Sequence, residues 1–177
     1  MTVDSCSKLA MKLLSGLGDR IKHVSGVAEL AETLVRVPFE SPGDYEVLLA
    51  AAWVHDVGYA GELVETGFHH LDGARYLEGL GEHRLACLVA HHSSGTEEAT
   101  LRGLDRELAP FACEPGLVSD CLSYCDLSVG PTGERTTLES RIAEVTERYG
   151  EDSIVSKGLH LAYPRLKASF ERVESYR

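Results

Sequence analysis

No apolar run in this chain of 177 residues approaches the roughly 20 residues that span a bilayer, and the stretch 47–54 is typical of the longest. A membrane protein is therefore not expected. The N-terminus, MTVDSCSKLAMKLLSGLGDRIKH, carries Asp4 and amphipathic spacing where a leader peptide would have a basic segment, an apolar segment and a small-residue cleavage site. A cytoplasmic location is expected. Cysteine is scarce and odd in number: Cys6, Cys87, Cys113, Cys121 and Cys125 include no C-x-x-C pair. That excludes a disulfide framework and a structural zinc site; Cys121 and Cys125, four apart, share a helix face as small core residues. Positive charge is also short, with 17 Lys and Arg against 28 Asp and Glu, a net −11. Tight nonspecific binding to a nucleic-acid backbone is thereby disfavoured. A small anionic substrate remains compatible, because a bound metal reverses the field locally. No segment alternates with period two for long enough to make a strand, and there is no internal repeat or low-complexity tract.

What is present is helical periodicity in a chain with 44% hydrophobic and 25% charged residues, enough to build one sizeable core. Val24, Val27, Leu30, Leu34 and Val35 recur at three- and four-residue steps and put His23 on the inward face. Ser41 to Asp44 reads as a turn and N-cap, followed by a helix over Tyr45 to His55 that is apolar almost all round and therefore central. A glycine-bearing loop, 58–68, leads to His69 and His70 and a short helix over Asp72 to Leu80. Further helices are expected over Glu82 to His92, Glu97 to Leu108, Leu117 to Leu127, Thr137 to Tyr149 and Glu151 to Arg177, the last bent or interrupted at Pro164. The fold class is all-α, a single-domain bundle of about seven to nine helices over 1–177.

Polar ligating groups collect at the ends of these helices. His55 and Asp56 close the apolar helix, a placement that is costly unless something binds there. His69 and His70 open one element, His91 and His92 close another, and Asp126 closes a third. Imidazole with carboxylate suits borderline divalent metals such as iron, manganese, zinc, nickel or cobalt, and there are enough ligands for two ions bridged by one carboxylate. His83 and His160 read as exposed residues outside this set.

The order H…HD…H…H…D, set in RIKHVSGVAELAETL, LLAAAWVHDVG, HHLDGARYL, LVAHHSSG and YCDLSVGPTG, resembles the HD-domain superfamily of metal-dependent phosphohydrolases. The resemblance covers residues 20–150, leaving a C-terminal helix over 151–177. It implies His23, His55, Asp56 and Asp126 as the ligands of a single-metal site. The added histidines resemble the two-metal variants, where His69 is favoured over His70 because Gly73-Ala74 then falls at the spacing that follows such a ligand. His91 and His92 are not separable by sequence. The implied chemistry is attack of a metal-activated hydroxide on a small phosphorylated compound such as a nucleotide, with Asp56 bridging two ions and Asp126 closing the ligand set and orienting the water. Arg20, three residues before His23, and Arg75 are candidates to hold substrate oxygens. Glu62 and Glu65 are loop carboxylates that could supply acid or base.

Departures from the family pattern narrow the branch. Tyr59 stands where some single-metal members have a helper glutamate, and HHSSGTEEA stands where a GYP motif would mark the cyclic dinucleotide phosphodiesterases. Chain length disfavours a dNTP triphosphohydrolase. An HD-fold di-iron oxygenase and a non-catalytic regulatory module are the alternatives. The protein is expected as a monomer or homodimer, without a membrane partner.

Overall fold

The structure, a computed structural model, describes residues 1–177 and is all-helical. Ten α-helices follow one another: α1 Val3–Leu13, α2 Asp19–Glu32, α3 Asp44–Val54, α4 His69–Gly79, α5 His83–His91, α6 Gly95–Arg102, α7 Asp105–Leu108, α8 Leu117–Leu127, α9 Leu138–Tyr149 and α10 Ile154–Glu174. Two 3₁₀ turns, Val57–Tyr59 and Gly61–Leu63, connect α3 to α4. The nearest approach to a sheet is an isolated antiparallel bridge between Val129 and Arg135.

The apolar helix α3 lies at the centre, packed by α1, α2, α5 and α8. Its residues Leu48, Ala51, Ala52 and Val54 are fully covered, as a helix without a polar face must be. α4 pairs with α5, and α10 lies across α6, α8 and α9. One continuous apolar cluster runs from Cys6 to Val173. Caps explain several boundaries: Thr2 and Ser5 form a reciprocal capping box at α1, and the Thr137 side chain accepts from the Ser140 N–H at the start of α9.

Four expectations change. The segment 97–108 is two helices rather than one, because Gly103 adopts φ +70 and terminates α6, a conformation that costs a glycine nothing. This accounts for ten helices where seven to nine were expected. α10 runs through Pro164 without interruption. Pro164 and His160, whose carbonyl loses its partner to the missing N–H, are both exposed, so water can take the bond over. Val35 lies beyond α2 and is 62% exposed, off the inward face that its spacing suggested. α4 also begins at His69, three residues earlier than expected.

Candidate metal centre

Five helices deliver the polar residues to one place. His23 lies within α2, His55 caps the C-terminus of α3, and Asp56 begins the following 3₁₀ turn. His69 and His70 open α4, His92 caps α5, and Asp126 is the penultimate residue of α8. The turn after Asp56 sits hard against the start of α4. A Cβ on Gly58 would lie 2.0 Å from the His69 carbonyl oxygen and 2.7 Å from the Gly73 nitrogen. Only glycine allows these two backbones to approach, and that approach brings His55-Asp56 and His69-His70 together.

The carboxylate of Asp56 stands between two groups of ligands. Its Oδ2 is 3.4 Å from His55 Nε2 and 3.7 Å from His23 Nε2, while its Oδ1 is 3.4 Å from His69 Nε2 and 3.9 Å from His92 Nε2. On the first side, His23 Nε2 lies 3.1 Å from Asp126 Oδ1 and 3.4 Å from His55 Nε2. Ligating atoms of His23, His55 and Asp126 fall within 4.8 Å of one another, and those of His69, His70 and His92 do the same on the other side. Two donors bound about 2.1 Å from one ion sit about 3.0–3.4 Å apart, close to several of these separations.

The hydrogen bonds behind the rings determine what faces inward. Nδ1 of His23, His55 and His92 meets the carbonyls of Gly130 at 3.2 Å, Ala52 at 2.9 Å and Val89 at 2.7 Å. A carbonyl only accepts, so each Nδ1 carries a proton that it donates and each Nε2 turns a lone pair toward the carboxylates. Acceptors therefore face acceptors across 3–4 Å, an arrangement that a cation resolves. His70 adds a second sign: it is 2% exposed, and both its ring nitrogens are buried without a hydrogen-bond partner. Orphaned buried nitrogens are rare, and here they lie beside His69 and His92. The donor set fits one or two divalent ions.

Charge states suit the same task. Burial pushes His69, His70 and His92 below the ordinary histidine range, with neighbouring imidazoles adding to the effect, so these rings are neutral. For Asp56, burial opposes ionisation, but Arg20 and His55 outweigh it and hold the carboxyl well below its usual range. Asp126 is likewise held low against burial by His23 and His55. His55 goes the other way: Asp56 and Asp126 overcome its burial and raise its pKa. The neutral rings of His69, His70 and His92 and the ionised carboxylates of Asp56 and Asp126 are the forms that bind metal.

Around the ligands lies a cavity of about 60 Å³ lined in part by Arg20, Tyr59, Glu98 and Arg141. Arg20 donates to Asp56 Oδ2 at 2.5 Å and lies 4.0 Å over the Tyr59 ring, which stacks on His69 at 4.1 Å. Ser93 donates its hydroxyl to Asp126 Oδ2 and holds a left-handed backbone, φ 49. Such a conformation is strained for a serine, and its neighbours over-determine it: Ser123 accepts its N–H and Arg165 donates to its carbonyl.

The placement of the sequence-derived candidates is uneven. His23, His55, Asp56, His69, His92 and Asp126 converge, and Arg20 lines the cavity. His91 does not join them: its Nδ1 meets Thr96 Oγ1 and its Nε2 meets the Phe111 carbonyl. As the last residue of α5 it follows the helix outward, whereas His92 has left the helix, φ −61 and ψ 151, and turns in. Arg75 is exposed and pairs with Glu65 at 3.2 Å, so neither residue lines the cavity, and Glu62 is exposed as well. His70, passed over in favour of His69, faces the same group as His69. Glu98 and Arg141 had no signal in the sequence, because each stands among the polar residues of its helix and only the packing of α10 on α6 and α9 encloses them.

A family model described as HD domain matches residues 20–150. No curated protein and no solved structure matches the chain.

Proposed function

The chain belongs to the HD domain family, and from that membership we propose that it is a metal-dependent phosphohydrolase acting on a small phosphorylated compound. The observation that carries this is the divided carboxylate of Asp56, one oxygen toward His23 and His55 and the other toward His69 and His92, beside an arginine-lined cavity. His23, His55 and Asp126 would hold one ion, and His69, His70 and His92 a second, with Asp56 shared. Bound divalent ions supply Lewis acidity, which acidifies water and offsets charge growing on phosphoryl oxygens.

The chain's own residues do the rest. The carbonyls of Gly130, Ala52 and Val89 keep three imidazoles in one tautomer and one orientation. Ser93 holds Asp126 in place through its second oxygen. Arg20 is kept charged: burial opposes its protonation and Asp56 outweighs burial, so the guanidinium is available to a substrate oxygen at the cavity wall. Tyr59 stays a phenol, its pKa pushed up first by burial and then by Asp56, and it braces both Arg20 and His69. Glu98, 3% exposed and raised in pKa by burial, is the one cavity carboxyl outside the ligand set; we assign it the proton delivered to the leaving oxygen.

Purified protein loaded with iron, manganese, cobalt or nickel, screened anaerobically against nucleotides and sugar phosphates, tests the assignment. Phosphate release that disappears in His55→Ala is expected. Silence with every metal, together with substrate-dependent oxygen consumption, would replace it by a di-iron oxygenase on the same ligands.

A further inference from the structure

The face that α9 turns to the metal centre is basic where an amphipathic helix would ordinarily be apolar. Arg141, Val145, Arg148 and Tyr149 recur at helical spacing and line the cavity together with Arg20. Arg141 is only 7% exposed, and its Nε is buried with no partner. Its Nη1 meets Glu144, and the same carboxylate also accepts from Arg148. One carboxylate thus accepts hydrogen bonds from two guanidinium groups.

The other charged side chains around the cavity each have a protein partner. Arg20 donates to Asp56, Asp126 accepts from Ser93, and Glu98 accepts from Ser94 at 3.0 Å and lies 3.5 Å from Arg102. The cavity is open to solvent and has a volume of about 60 Å³, room for about two waters. Only a phosphoryl-sized group fits beside the ligands, so the remainder of a substrate extends outward past Arg141 toward the exposed Arg148 and Tyr149.

We propose that Arg141 and Arg148 form an anion subsite on α9, and that the substrate is a small compound with two phosphate groups, one at the metal centre and one on α9. This rests on the phosphohydrolase assignment. A guanidinium fork matches phosphate oxygens in a bidentate fashion, and the unpartnered Nε of Arg141 supplies a donor that no protein group takes. Glu144 positions the pair by holding both side chains to one face of the helix.

Calorimetric titration of the manganese-loaded protein with methylenediphosphonate and with methylphosphonate tests the subsite. The two-phosphorus probe should bind more tightly than the one-phosphorus probe. Arg141→Met and Arg148→Met should each weaken methylenediphosphonate by about tenfold, the worth of one charge-assisted hydrogen bond, with methylphosphonate affinity and metal content unchanged. Arg141→Lys should recover part of the loss. Equal weakening of both probes, or none in variants whose circular dichroism is native, overturns the subsite while leaving the hydrolase assignment standing. Failure of the loaded wild-type protein to bind either probe overturns the hydrolase assignment, and the subsite falls with it.

Discussion

Replacing His70 with leucine should make the metal-free protein more stable and cost it a metal. The ring is 2% exposed, wedged between Phe68, His69 and His92 at centroid distances of 4.8, 3.9 and 4.2 Å, and neither nitrogen has a partner. A buried polar atom left unpaired costs about 1–3 kcal/mol, so the two nitrogens together cost about 2–6 kcal/mol. Leucine removes both and matches the ring roughly in volume; misfit in a packed site returns about 1–3 kcal/mol. A net gain of about 2 kcal/mol is expected, which for a protein of this size raises the melting temperature by about 4–8 °C. Thermal unfolding by near-ultraviolet circular dichroism, in chelator and in excess manganese, measures it. Manganese should stabilise the wild type by about 2.7 kcal/mol per site at a hundredfold excess over Kd, and the variant by the equivalent of one site. A His70→Leu protein that melts below the wild type in chelator, or that keeps the full manganese shift, refutes the reasoning.

Gly58→Ala would drive its methyl into the His69 carbonyl at 2.0 Å, a backbone atom that cannot swing aside; a loss of about 3 kcal/mol or more is expected in urea unfolding, and a loss under about 1 kcal/mol contradicts the close approach. Asp56→Ala should lower the bound-metal stoichiometry more than Asp126→Ala, since Asp56 faces both ligand groups and Asp126 only one; elemental analysis that ranks them the other way removes the bridge. Glu98 is raised by burial above its ordinary 4.5. The native state therefore binds its proton more tightly than the unfolded chain, and wild-type stability falls as pH climbs from about 4.5 through the raised value. Glu98→Gln should abolish that component, so that the variant gains on the wild type with rising pH in metal-free urea titrations between about pH 4 and about pH 8; parallel curves exclude it.

The helical fold and most of the candidate metal centre were legible in the sequence because both rest on local pattern. Three- and four-residue apolar spacing dictates amphipathic helices, and an apolar helix that ends in His55-Asp56 must bury two polar groups, whatever lies across from them. His23, His69, Asp126 and the His91-His92 pair stood out because each candidate ligand is set in a flanking motif. Tertiary packing decided the rest. His91 and His92 are chemically identical neighbours, and only the point at which α5 ends turns one outward to Phe111 and the other inward. His70 joins the group because Gly58 lets the chain approach the start of α4. Glu98 and Arg141 look like solvated helix residues along the chain; they become cavity residues because α10, packed on both α6 and α9, covers Glu98 and holds the Arg141 face over the cavity. Periodicity along the chain says which side of a helix is apolar, but the polar groups sealed into a site are chosen by whichever distant helix lands on them.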